Sequence, residues 1–214
     1  MLVGWLIAVF AIAAPGSAQP EQNGQGGVTA ATYNLFQGSE LTEAISAKSP
    51  AELVVAVATD YGQMVASKFP ERAQAIAAEA ASTQPELIGV QEAALWKLGA
   101  LSSNPFTAPP ATKTTFDFVQ ILNEALAARG LSYAPVAVTT NFHVEAPGFF
   151  GTGFRNVSLT DRVAILARTN IPLSNVKTAN FATNTVLPLF SGPFTVLGGW
   201  ASVDATLGVR RRAS

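Results

Sequence analysis

The stretch "PELIGVQEAALW", Pro85 to Trp96, decides how the chain is read. Leu87, Ile88, Gly89 and Val90 make a short apolar run after a turn-forming Pro, the pattern of a buried strand. The run stops at Gln91-Glu92, and only small and apolar residues follow directly. A carboxylate at that point needs a partner, because an unpaired buried charge is costly. Lys97 lies within reach along the chain. A divalent cation meets the same need, since Mg2+ is typically held by one or two carboxylates plus water and phosphate oxygens. A solvated strand end explains the residue more simply, and on pattern alone it is the favoured reading.

On the N-terminal side, "FPERAQAIAAEAASTQPEL" is a helix with Pro70 at its start and Glu71 in its first turn. Ala73, Ile76, Ala77 and Ala80 give it one small-residue face, suited to close packing on a sheet. A second helical stretch covers Pro50 to Phe69, with Val54, Val57, Tyr61, Met64, Val65 and Lys68 at helical spacing. Before it, "VTAATYNLF", Val28 to Phe36, reads as a strand, and "GSEL" as the turn after it. Asn34 stands near the end of that strand. Its amide can hold a phosphate oxygen or a metal-bound water, or simply form a turn.

On the C-terminal side, residues 99–113 read as a Ser-, Pro- and Thr-rich loop. "FDFVQILNEALAARG" is a helix with Phe118, Ile121, Leu122, Ala125 and Leu126 on one side and Gly130 as its stop. "LSYAPVAVTT" is a strand, residues 141–158 a Gly/Phe-rich loop containing His143, and Asp161–Arg168 another strand. Phe194–Leu207 reads as one long strand or a hairpin pair. Helices first and strands later predict an α/β sandwich with a mixed sheet.

Composition limits the options. Of 214 residues, 49% are hydrophobic and 13% charged, enough for a sizeable core and too little charge for disorder. The net charge of −1 gives no general attraction to nucleic acid or acidic membranes, so any phosphate must be met locally. Cysteine is absent, which excludes disulfides, thiol nucleophiles and Cys-type zinc sites. Residues 1–18 resemble a secretory signal peptide, with an apolar run from Leu2 to Ala14 and small residues Gly16 and Ala18 before the expected cleavage point. No Lys or Arg precedes the run, and an uncleaved anchor or a buried strand is the alternative. Residues 19–27 read as a polar linker and 28–214 as the folded part. The expected location is secreted or periplasmic.

"ATYNLFQGSEL", "PELIGVQEAALW" and "LTDRVAILAR" occur in this order. Together they resemble the N-terminal half of the endonuclease/exonuclease/phosphatase family, with its deoxyribonuclease-I-like fold, over residues 28–210. The resemblance implies a four-layer α/β/β/α sandwich and a metal-dependent phosphoesterase, nuclease or phosphatase. It implies Mg2+ as cofactor, with Mn2+ or Ca2+ as substitutes. By residue, Glu92 matches the metal-binding glutamate and Asn34 the asparagine that contacts metal water or phosphate. Asp161 and Arg162 fall where the family lines its substrate cleft; a surface ion pair leading into a strand is the competing reading. The implied substrate is a phosphate ester, in nucleic acid, phospholipid or a small molecule, attacked in line by water with a carboxylate-held His in acid/base catalysis.

The match also breaks. The family's Thr-His-Leu strand, Asp-x-Asn pair and Ser-Asp-His segment have no counterpart, and "GWASVDATLGVRRRAS" reads as the strand before the first of them. The chain's one His, His143, falls on the expected loop and takes no catalytic role. The C-terminal half of the sandwich is therefore expected to be missing, leaving one sheet face uncovered and open to self-association, with no other protein partner indicated. A mean hydropathy of +0.29 fits that expectation. Two functions follow: a catalytically incomplete hydrolase, or a non-catalytic remnant that binds ligands or partners. An unrelated extracellular binding domain is a third.

Overall fold

The computed structural model describes residues 28–206. The expected signal peptide, the linker and the Arg run at 210–212 lie outside them. The fold is mixed α/β. Four helices accompany ten strands: α1 (Thr42–Ser46), α2 (Pro50–Ala66), α3 (Phe69–Thr83) and α4 (Phe118–Ala127), with β1 (Ala30–Asn34), β2 (Leu87–Gln91), β3 (Leu95–Leu98), β4 (Lys113–Asp117), β5 (Tyr133–Phe149), β6 (Phe154–Arg168), β7 (Leu173–Asn180), β8 (Thr185–Leu189), β9 (Gly192–Val196) and β10 (Gly199–Ala205).

Local chemistry sets the helix boundaries. Ser49 caps α2 by accepting from the Glu52 N–H at 3.2 Å, and the Glu52 carboxylate accepts in return from the Lys48 N–H at 2.9 Å. Asp117 caps α4 by accepting from the Val119 and Gln120 amides. Gly130, at φ +74°, ends the helical run in the left-handed region.

The main sheet has six strands in the order β1-β2-β6-β3-β4, with β5 along the other edge of β6. Only β1 and β2 run parallel; the remaining pairs are antiparallel. One edge of β6 serves two partners. Its residues Ala164–Ala167 pair with β2 and Val157–Thr160 pair with β3. The chain between β2 and β3 must therefore kink opposite Asp161–Val163.

The core lies between this sheet and the helices. Ile88, Val90, Leu159 and Leu166 meet Val57, Met64, Phe69, Phe118, Leu122 and Leu126. The small face of α3 (Ala73, Ala77 and Ala80, all fully buried) lets that helix pack closely, while Ile76 is only half-buried. Phe69 and Phe118 stack at 3.7 Å between ring centroids and 3° between planes.

Several expectations are corrected. Residues 141–158 are not a loop: β5 and β6 run through them and turn only at 150–153, where Gly151 takes φ +77°. His143 is therefore on a strand. The cause is readable in hindsight, since Phe142, Val144 and Ala146 pack on the core while His143 and Glu145 are exposed, a period of two. The expected turn at "GSEL" leads into α1, β3 fills the space before the loop, and Phe116–Asp117 belong to β4, so α4 starts later than expected. The described part of the stretch expected as one long strand or a hairpin pair, residues 194–206, is neither: β9 pairs with β8, and β10 with β7.

The sheet face expected to be bare is partly covered. At Thr139–Asn141, β5 meets β7 and β10. Thr139 Oγ1 donates to the Trp200 carbonyl at 2.9 Å, and the Leu197 N–H donates to the Asn141 carbonyl at 2.9 Å. Gly199 must be glycine there, because a Cβ would come within 2.6 Å of Asn141 Oδ1.

Candidate functional site

Asn34 is the last residue of β1, and Glu92 directly follows β2. The parallel register sets Asn34 opposite Gln91, so both side chains emerge at the C-terminal ends of neighbouring parallel strands. Open α/β sheets bind ligands at such strand ends. Asn34 Nδ2 donates to Glu92 Oε1 at 2.7 Å, and the Gln37 N–H donates to Glu92 Oε2 at 3.0 Å. Asn34 Oδ1 in turn accepts from the Phe36 N–H at 2.8 Å. Among the described residues Glu92 enters no salt bridge, so Lys97 is not its partner.

The backbone around the pair is strained. Glu92 has φ +50° and Phe36 φ +50°, although neither is glycine. The left-handed region costs an L-residue roughly 1–2 kcal/mol. Such strain collects at functional sites, where the surroundings enforce it. Here the kink between β2 and β3 enforces it at Glu92. The Ala93 N–H donates to the Arg162 carbonyl at 2.9 Å, and the Ala94 N–H to the Glu92 carbonyl at 2.8 Å, closing a three-residue turn.

Arg162 holds that turn. Its Nε donates to the Ala93 carbonyl at 2.8 Å, and its Nη2 to the Ala94 carbonyl at 3.3 Å and to Asp117 Oδ1 at 2.6 Å. The ion pair is shielded, with 12% and 24% of the two side chains exposed. Its donors face the turn and the start of α4.

Asp161 is buried. Its Oδ2 accepts from Asn141 Nδ2 at 2.7 Å, while Asp161 Oδ1 and Asn141 Oδ1 find no donor. Burial, against the help of the Asn141 hydrogen bond and with the added repulsion of Glu92, pushes its carboxyl up to about 6. A group that titrates there can hold or release a proton near neutral pH. His143 stands two residues from Asn141 on β5, exposed, with Nδ1 2.9 Å from Thr160 Oγ1.

Sequence reasoning named Asn34, Glu92, Asp161 and Arg162 and missed their supports. Asn141 lay in the expected loop. Asp117 lay within the expected helix, although an Asp before an apolar helical run is itself a cap signal. Arg72, on α3, carried no signal in the sequence. Its guanidinium donates to the Leu35 carbonyl at 2.5 Å, the Phe36 carbonyl at 3.2 Å and the Ser67 carbonyl at 3.0 Å, clamping the chain that leaves Asn34.

Each Glu92 oxygen accepts one hydrogen bond and can accept another, so the carboxylate retains free lone pairs. Among the described residues no group of three or more His, Asp and Glu side chains can hold a metal ion. No helix among the described residues is long and apolar enough to cross a membrane. No protein-family model matches the chain, and neither a curated protein nor a solved structure matches it.

Proposed function

We propose that the chain is an exported metal-dependent phosphoesterase of the endonuclease/exonuclease/phosphatase type, built on the N-terminal half of the four-layer sandwich. The observation that carries the reading is the 2.7 Å bond between Asn34 and Glu92 at the ends of two parallel strands. Two motifs that are 58 residues apart in the chain converge there, which supports the reading.

Glu92 would hold Mg2+, or Mn2+ or Ca2+ in its place, and Asn34 would orient the carboxylate and a bound water. Bound there, the ion would offset charge on a phosphoryl oxygen and on the leaving oxygen. Asp161, buried but close enough to Glu92 to feel its charge, would be the proton-holding group beside the site. Arg162, spent on Ala93, Ala94 and Asp117, acts by fixing the turn that presents Glu92. The substrate class is a phosphate ester, whether in nucleic acid, phospholipid or a small molecule. His143, with its Nδ1 2.9 Å from Thr160 Oγ1, takes no part in the proposed chemistry. The test is hydrolysis of bis(4-nitrophenyl) phosphate with Mg2+ or Mn2+. Metal-dependent turnover that is lost on chelation and in Glu92→Gln supports the reading; metal-independent turnover, or equal turnover in Glu92→Gln, contradicts it.

A second reading is a non-catalytic interaction module. It is favoured by the apolar side chains exposed around β7 and the β8–β9 hairpin: Val176 at 49%, Phe181 at 42%, Val186 at 56% and Phe190 at 42%. Exposed apolar side chains that join into one patch mark association. Sedimentation velocity across protein concentrations separates the two, with reversible self-association and no turnover supporting the module.

A further inference from the structure

Asp60 is an acid where the packing asks for none. It lies on the buried face of α2 with Ala56, Val57 and Met64, and only 2% of it is exposed. Asp is a poor residue for a helix interior, and a buried carboxylate costs stability unless it is bonded. It enters no salt bridge among the described residues. Its Oδ1 accepts from Ser39 Oγ at 2.6 Å, while its Oδ2 has no partner.

Ser39 belongs to the loop between Asn34 and α1, and it is 1% exposed. Its Oγ also accepts from the Leu41 N–H at 3.1 Å and lies within donating distance, 2.9 Å, of Gln63 Oε1, one turn along α2. Gly38 lets the loop approach that helix: it takes φ +105°, and a Cβ would sit 2.6 Å from Met64 Cγ. The same loop carries Gln37. The Gln37 N–H holds Glu92 Oε2, and its carbonyl accepts from Trp96 Nε1 at 2.9 Å.

We propose that Asp60 is a positioning residue for Glu92, acting through Ser39 and the backbone of Gln37. The loop is locked on α2 at Ser39, and that lock fixes the Gln37 N–H against the Glu92 carboxylate. The consequence for metal binding rests on the function proposed above; the effect on Gln37 does not. Asn at position 60 keeps an oxygen for the Ser39 hydroxyl, and Ala does not, so the two substitutions separate the hydrogen bond from the mere presence of a side chain.

The test is amide hydrogen exchange by NMR on the folded chain, with Mn2+ titration beside it. In Ser39→Ala and Asp60→Ala the Gln37 amide loses protection about tenfold or more, while amides of Ala56 and Val57 in mid-helix keep theirs. Mn2+ affinity falls roughly 10–100-fold, as when the groups supporting a metal ligand are removed. Asp60→Asn keeps both near the unsubstituted protein. Unchanged Gln37 protection in Ser39→Ala overturns the proposal, as does an Asp60→Asn protein that behaves like Asp60→Ala. If Gln37 loses protection but the unsubstituted chain binds no Mn2+, the positioning role stands and the metal reading falls.

Discussion

Arg162 and Asp117 meet at 2.6 Å, and the same guanidinium holds the carbonyls of Ala93 and Ala94. The turn that presents Glu92 is thereby tied to the cap of α4. Removing one partner of a buried ion pair costs roughly 3–5 kcal/mol; Asp117 is 24% exposed and keeps its two cap donors, which puts the loss here at the low end. Arg162→Met is expected to lose about 3 kcal/mol in urea unfolding. Asn at position 117 keeps an oxygen for the α4 amides, so Asp117→Asn should lose less than Arg162→Met. Equal stability of Arg162→Met and the unsubstituted chain would show that the turn holds itself.

Glu92 itself allows a cleaner test of strain. At φ +50° a Cβ is unfavourable and glycine is not. Ordinarily Ala is the more stable residue of the two. Here Glu92→Gly is expected to be more stable than Glu92→Ala by about 1 kcal/mol, both lacking the carboxylate. Thermal unfolding of the two variants measures the difference, and the reverse order would remove strain from the account of the site.

Asp161 makes stability depend on pH. Its folded value, about 6, lies above the ordinary 3.8, so between these values the folded state binds more protons than the unfolded one. Stability then falls as pH rises through that window and levels off above it. Asp161→Asn keeps an acceptor for Asn141 and carries no charge. It is expected to be more stable than the parent by on the order of 2 kcal/mol at pH 7, with little difference at pH 4. Urea midpoints at the two pH values, with metal chelated, check both the sign and the window.

The stack of Phe69 on Phe118 joins α3 to α4 beneath the sheet. Both rings are fully buried. Phe118→Ala is expected to cost about 3–5 kcal/mol, and Phe118→Leu clearly less. A loss below about 1 kcal/mol for the alanine variant would mean that the helices do not depend on this contact.

Much of this was legible from residues alone. Leu87–Gln91 forms the expected strand, because an apolar run bounded by Pro and a polar pair has few other solutions. The helix beginning at Pro50 and the glycine stop at Gly130 also follow from local chemistry. Asn34 and Glu92 were readable as strand-end residues, and their contact needed only that β1 and β2 pair in parallel. What was not legible depends on neighbours across the fold. Asn141 becomes a site residue only because β6 brings Asp161 to it, and Asp60 only because Ser39 folds back from the far end of β1. The strand through His143 was hidden by Pro147, Gly148 and paired phenylalanines that resemble loop composition, although the alternation beneath them was intact.

The most direct measurement of the central claim is isothermal titration of Mn2+ into the unsubstituted chain and into Glu92→Gln at pH 7.5. One saturable site that disappears in Glu92→Gln, with both proteins equally folded, is the result the account predicts. No saturable binding by the well-folded parent, or equal affinity in Glu92→Gln, would contradict Glu92 as the metal-holding carboxylate.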